Sequence, residues 1–155
     1  MNTVTDHMIR KAVPADLPAI VALLADDPLG AAREAPGPPL DPCYGEAFAA
    51  IARDPNQLLA VVDDGGTVIG CLQITFIPGL SRRGMLRGQI ESVRVAAARR
   101  KSGLGRLMLV WAIAECRRRG CGLVQLTTDK SRADAQRFYH SLGFTASHEG
   151  MKLAL

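Results

Sequence analysis

The stretch from Gln89 to Leu109 constrains the chain most, because the hydrophobic period changes inside it. In Gln89-Ile90-Glu91-Ser92-Val93-Arg94-Val95, branched apolar residues fall at roughly every second position with polar ones between, the periodicity of a strand. From Leu104 the apolar set becomes Leu104, Leu107, Met108 and Trp111, the i, i+3, i+4, i+7 spacing of a helix that buries one face. Between the two lies Arg99-Arg100-Lys101-Ser102-Gly103-Leu104-Gly105, so glycines and cations gather where the first unpaired backbone N–H groups of the helix emerge. Glycine removes the side chains that would keep an anion off the backbone, and the helix start aims several donors the same way. The two glycines alone are equally consistent with a plain turn. The order strand, cations, glycines, helix favours an anion site. It is not a P-loop, since the spacing is too short and no Lys-Ser or Lys-Thr pair follows the second glycine. Nor is it the dinucleotide fingerprint, because Met108 stands where the third glycine is required.

The charge distribution points the same way. The formal net charge is only +4, yet Arg82, Arg83, Arg87, Arg94, Arg99, Arg100, Lys101 and Arg106 share one stretch with a single acid, Glu91. Such a cluster suggests an anionic partner. Nucleic acid is disfavoured: there is no aromatic interleaving, no helix-turn-helix pattern and no RNA-binding signature. Arg117-Arg118-Arg119, before Gly120, is better explained as cations complementing a helix C-terminus. At 155 residues, with 48% hydrophobic and 22% charged residues, the chain fits one globular domain spanning residues 1–155. No apolar run approaches the roughly 20 residues of a membrane span. Met1 to His7 carries an acid and no apolar segment, so it does not read as a secretory signal, and a cytoplasmic protein is expected. Cys43, Cys71, Cys116 and Cys121 have neither C-x-x-C spacing nor histidine neighbours, so free thiols, mostly buried, are expected in place of disulfides or a metal site.

Along the chain, Met8 to Ala12 reads as a strand, and Pro14-Ala15-Asp16 opens a helix through Leu24 with Leu17, Ile20, Val21 and Leu24 on one face. Asp26 to Pro42, with Pro28, Gly30, Pro36, Gly37, Pro38 and Pro39, reads as a mobile loop. Tyr44 to Arg53 is a second helix. Gln57 to Val62 and Thr67 to Ile77 are strands joined at Asp63-Asp64-Gly65-Gly66, a strong hairpin signal, and Leu86 to Val95 continues the meander. Then follow the main helix from Gly103 to Arg119, a fifth strand from Gly122 to Thr128 and a helix from Ser131 to Leu142. Phe144 to Ser147 and Gly150 to Leu153 are short strand candidates. A strand-helix-strand unit returns in parallel, so the fold class is α/β with a sheet of mixed direction.

The segment Arg100-Lys101-Ser102-Gly103-Leu104-Gly105 matches R or Q, x, x, G, x, G or A, the signature of the GNAT superfamily of N-acetyltransferases. Ala135-Gln136-Arg137-Phe138-Tyr139-His140-Ser141-Leu142-Gly143-Phe144 resembles the second conserved segment, A-x-x-F-Y-x-x-L-G-F. The resemblance spans nearly the whole chain. It implies a single-domain fold with a mixed, mostly antiparallel twisted sheet flanked by helices, in which the fourth and fifth strands splay apart. It further implies acetyl coenzyme A as cosubstrate, with the pantetheine arm pairing against Val93, Arg94 and Val95 and the diphosphate taking N–H groups from Arg100, Lys101, Ser102, Gly103, Leu104, Gly105 and Arg106. The family's habit of pairing through terminal strands leaves room for a homodimer, and its first inter-helix segment, here Asp26 to Pro42, often walls the acceptor site. One departure is Arg132, where many members carry Asn, so a contact to the pantetheine arm does not carry over to it.

The function this implies is acetyl transfer from acetyl coenzyme A to a primary amine by direct attack in a ternary complex. Tyr139 is the candidate general acid, because a phenol of pKa about 10 can protonate a departing thiolate. Packing with Phe138 as a core aromatic pair is its alternative role. Glu91 is the candidate base, directly or through a water. On an ideal strand it shares a side with Val93, which a bulge would alter, and a structural pair with Arg87, Arg94 or a neighbour is the competing account. His140 and His148 are weaker candidates, and Ser131 reads as a helix cap. Two other functions stay open: a non-catalytic acyl-CoA-binding regulatory domain, and nucleic-acid binding through the arginines. The acceptor amine is not legible.

Overall fold

A computed structural model of the chain describes residues 8–155; Met1 to His7, and the reading of that segment given above, lie outside the described residues. Five strands form one sheet in sequential order: β1 (Met8–Lys11), β2 (Gln57–Asp64), β3 (Thr67–Ile77), β4 (Arg87–Val95) and β5 (Leu123–Leu126). The first four run antiparallel, and β5 returns parallel to β4. The Asp63-Asp64-Gly65-Gly66 turn closes β2 onto β3 with Asp64 opposite Thr67. The helices are α1 (Leu17–Ala25), α2 (Pro28–Ala31), α3 (Pro42–Arg53), the single turn α4 (Ser81–Gly84), α5 (Leu104–Arg118) and α6 (Ala133–Ser141). This is the α/β architecture expected.

Two apolar layers sandwich the sheet. On one face Val62, Ile74, Phe76 and Ile90 pack with Leu104, Met108, Leu109, Ala112 and Cys116 of α5. On the other, Leu59, Val61 and Cys71 meet Ile20 and Leu23 of α1, with Phe48 and Ile51 of α3 beside them. The buried stripe of α5 is therefore rotated from the one its spacing suggests, and Leu107 is 46% exposed. The rotation is set by the partner surface. Gly88 of β4 leaves a gap that Cys116 fills so closely that a Cβ there would lie 2.4 Å from the Cys116 Sγ. Gly88→Ala is expected to destabilise the protein by about 1–3 kcal/mol through overpacking, read as a lowered denaturant midpoint.

One buried charge is structural. Asp16, only 6% exposed, takes both Arg10 guanidinium N–H groups at 2.7 and 2.9 Å and the Val13 backbone N–H at 2.8 Å, which fixes the entry to α1.

Two expectations change. The Asp26 to Pro42 segment is not without order: α2 forms inside it, capped by the Asp27 carboxylate accepting from the Gly30 N–H at 2.7 Å. Its far side is held by Tyr44, whose hydroxyl donates to Glu34 and accepts from the Ala35 N–H, both at 2.8 Å. Conversely, Phe144 to Ser147 and Gly150 to Leu153 are not strands. Alternation alone does not make a strand, and neither segment is paired with the free edge of β5.

Candidate active site

β4 and β5 pair only from Arg87 opposite Leu123 to Ile90 opposite Leu126, while β4 runs on to Val95. Beyond Ile90 the edge of β4 that faces away from β3 has no strand beside it among the described residues, so the sheet opens into a fork. Inside the fork β4 is bulged. Gln73 faces Glu91 and Cys71 faces Arg94, so two steps along β3 are matched by three along β4. Ser92 absorbs the extra residue at φ 55°, a left-handed conformation uncommon outside glycine.

The bulge corrects the expected side-chain alternation. Val93 and Val95 pack with Ile90 in the α5-side core, whereas Glu91 keeps the opposite face with Gln89. Glu91 and Val93 therefore do not share a side. Glu91 is exposed, and among the described residues its carboxylate meets only the Thr75 hydroxyl, at 3.4 Å. It makes no ion pair with Arg87 or Arg94.

At the end of β4 the chain turns into α5 around a pocket of about 330 Å³ lined by Val95, Arg99, Arg100, Lys101, Gly103, Gly105, Arg106 and Phe138. Gly103 caps the helix at φ 87°, where a side chain would be strained, and Lys101 precedes it at φ 61°. A Cβ at Gly105 would touch only Phe138 at 3.7 Å and Val95 at 3.9 Å, both ordinary contacts. Glycine at 105 is thus not demanded by the protein's own packing, and its bare backbone faces the pocket. The first-turn N–H groups of α5 and the cations around them form an anion cradle. Ser102 and Leu104 are not part of the lining: the Ser102 hydroxyl donates to the Arg99 carbonyl at 2.6 Å, and Leu104 points into the core. Arg99, one of the cations of the expected anion stretch though not among the residues assigned to the diphosphate, lines the wall, and Phe138 is a wall residue with no expected place there.

The arginine cluster is partly neutralised in space. Arg99 pairs with Asp64, and Arg100 reaches the Asp26 carboxylate at 3.0 Å and its carbonyl at 2.7 Å. Arg94 Nε and the Arg132 guanidinium converge on Asp27 Oδ2 at 3.1 and 3.0 Å. Burial would raise the Asp27 pKa, but the Gly30 N–H and the two arginines overcome it and hold the carboxyl down to about 2. Arg132, the position that departs from the family pattern, thus ties the start of α6 to the α1–α2 turn across the fork. Lys101 and Arg106 line the pocket with no carboxylate at ion-pair distance among the described residues.

Tyr139 sits on α6 beside Phe138, ring centroids 5.4 Å apart, and edge-on to Phe144 at 6.0 Å. Both readings of this residue meet here, because the ring packs against the core while the hydroxyl has no hydrogen-bond partner among the described residues and is not sealed from solvent. Burial raises its pKa above the ordinary 10, opposed by the charges of Arg132 and Arg94, so the phenol carries its proton at neutral pH.

On the α1 and α3 side a second pocket of about 110 Å³ is walled by apolar residues including Ile20, Leu24 and Phe48, and reaches Tyr44, Gln73 and Ser92 at the bulge. The remaining candidates lie elsewhere. His140 contacts the Phe144 carbonyl and His148 the Ser147 hydroxyl, both exposed. Burial pushes the thiols of Cys71 and Cys116 up to about 12, while Cys43 is exposed. Among the described residues no cluster suits a metal ion, and no helix is long and apolar enough to cross a membrane.

The acetyltransferase (GNAT) family profile matches residues 18–144. The aminoalkylphosphonate N-acetyltransferase of Salmonella typhimurium is 31% identical over 105 residues, 68% of each chain. The glucosamine 6-phosphate N-acetyltransferase of Trypanosoma brucei brucei is 29% identical over the full length of both. A crystal structure from Bacillus halodurans, described as a transcriptional regulator, superposes with a TM-score of 0.94 at 47% identity, covering 96% of this chain and 99% of that one. The forked sheet, the glycine cradle and these likenesses agree: the chain belongs to the GNAT family of acetyltransferases.

Proposed function

We propose that the protein transfers an acetyl group from acetyl coenzyme A to a small primary amine by direct attack within a ternary complex. The observation that carries this is the continuity of the fork with the cradle. An unpaired edge of β4 leads directly into a cation-lined pocket at a helix start, a track suited to an extended arm ending in a diphosphate. The amine nitrogen attacks the thioester carbon, whose oxygen is polarised by backbone N–H groups of Val93 to Val95. The carbon–sulfur bond then breaks, and the thiolate takes the Tyr139 proton. Glu91 receives the proton the amine loses, directly or through a water. The two relatives named for their acceptors both act on small amines, which supports that acceptor class.

Free-thiol release with acetyl coenzyme A over a panel of amines, alongside thermal stabilisation by coenzyme A, tests the proposal. Absence of both would overturn it. Stabilisation without release by any amine would favour a second reading, a non-catalytic acyl-CoA-responsive regulatory domain, which draws on the description of the Bacillus halodurans relative.

The cradle makes its own prediction. Gly105→Ala should leave the folded protein as stable as before, since the added methyl meets only ordinary contacts. Because the signature accepts alanine at this position, coenzyme A affinity should also stay within about twofold, whereas Gly105→Glu, which sets a carboxylate beside the helix N–H groups, should weaken coenzyme A binding at least about tenfold. Calorimetric titration of the two variants decides, and unchanged affinity in Gly105→Glu would place the diphosphate elsewhere.

A further inference from the structure

The sheet face that α1 and α3 cover at Leu59, Val61 and Cys71 continues beyond them as a polar row. Strand register aligns Gln57, Thr75, Gln89 and Gln125 across β2, β3, β4 and β5, with Gln73 and Glu91 opposite each other one step nearer the fork. None of these six side chains is buried. Their hydrogen bonds fix which atoms remain to face a ligand. Arg87 can only donate, so Gln125 turns its Oε1 to that guanidinium at 3.1 Å and its Nε2 to Gln89 Oε1 at 3.0 Å. Gln89 is left presenting its Nε2 donors. Gln57 Oε1 accepts from Gln73 Nε2 at 2.8 Å and from the Thr75 hydroxyl at 3.0 Å, so Gln57 also presents donors while Gln73 presents an acceptor. A hydroxyl donates once, and Thr75 is closer to Gln57 than to Glu91, so the Glu91 carboxylate is left essentially unpaired.

The surface therefore alternates amide donors and an amide acceptor around one carboxylate. Glu91 follows Ile90, the last β4 residue paired with β5, so the carboxylate stands where the fork opens. We propose that this row is the floor of the acceptor site and that the acceptor is a polyhydroxylated small amine. Its amino group lies at Glu91 and its hydroxyl groups, each both donor and acceptor, lie over Gln57, Gln73 and Gln89. The inference rests on the acetyl-transfer reading and adds to it the chemistry of the acceptor. The pocket beside α1 and α3 is walled mainly by apolar groups and meets the row at Gln73, so the row is the more polar of the two surfaces and the better suited to read hydroxyl groups.

The test is calorimetric titration of the coenzyme A-saturated protein with glucosamine and with cyclohexylamine, a ring-matched amine without hydroxyls. Glucosamine should bind at least about tenfold more tightly, because amide groups facing cyclohexylamine lose their partners. Gln89→Leu and Gln73→Leu should each reduce that preference roughly fivefold, with coenzyme A affinity of the same variants reporting an intact fold. Equal affinity for the two amines, or a preference unchanged in both variants, overturns the proposal. So does a dimer that the same substitutions dissociate, which would make the row an interface between copies. If coenzyme A neither binds nor releases thiol, the acetyl-transfer reading fails, and titration of the ligand-free protein with the two amines still decides the row.

Discussion

Replacing Tyr139 with Phe is expected to lower the turnover of acetyl transfer roughly tenfold or more while leaving coenzyme A affinity within about twofold. The substitution removes one oxygen that has no hydrogen-bond partner among the described residues, so the packing of the ring against Phe138 and Phe144 persists. Any loss must then come from the chemistry. A general acid works only while protonated, so the wild-type rate should fall as pH rises through the Tyr139 pKa, which burial raises above 10 against the pull of Arg132 and Arg94. That alkaline limb should vanish in Tyr139→Phe. A variant with full turnover and an unaltered pH profile would leave Tyr139 only its packing role.

The parts of this site that could be read from the residues are those encoded locally. The change of period between Val95 and Leu104, the glycines at 103 and 105, and the Asp-Gly-Gly hairpin all act within a few residues of themselves, and each lies where its pattern puts it. The bulge at Ser92 could not be read, because Ser-Val-Arg carries none of the glycine or asparagine that usually announces a left-handed residue. An ideal strand would put Glu91 and Val93 on the same face, and only the fold shows that a bulge separates them. The face of α5 was ambiguous for another reason: Leu104 and Met108 belong to more than one apolar stripe, and the choice was made by Gly88 on a different element. The polar row illustrates the same limit. Gln57, Gln73, Gln89 and Gln125 are unremarked singly and acquire meaning only through register across four strands. So does Asp27, whose partners Arg94 and Arg132 lie far along the chain and come together only in the fold.

Asp27→Asn should cost about 3 kcal/mol of stability near neutral pH, because breaking a largely buried pair leaves its partners uncompensated. The Asp27 side chain is 13% exposed, and Arg94 Nε, buried without an aligned hydrogen bond, depends on it for charge neutralisation. Asparagine retains the cap to the Gly30 N–H, so the loss isolates the charge. The sign with pH follows from the folded value of about 2 against an ordinary 3.8. A depressed carboxyl contributes stability that is fully present above the unfolded value and is lost as pH falls through the folded one, here about 2 kcal/mol fading between roughly pH 4 and pH 2. The gap between wild type and variant in urea midpoint should therefore be wide at pH 7 and narrow as pH approaches 2. Equal midpoints at pH 7 would show that the arginines do not need this carboxylate. The same variant connects stability to catalysis: with Asp27 neutral, Arg94 and Arg132 act on Tyr139 without a counter-charge, which favours the phenolate. Its alkaline limb should move to lower pH, so the Asp27 carboxylate that braces the fork would also keep the proton on the proposed general acid.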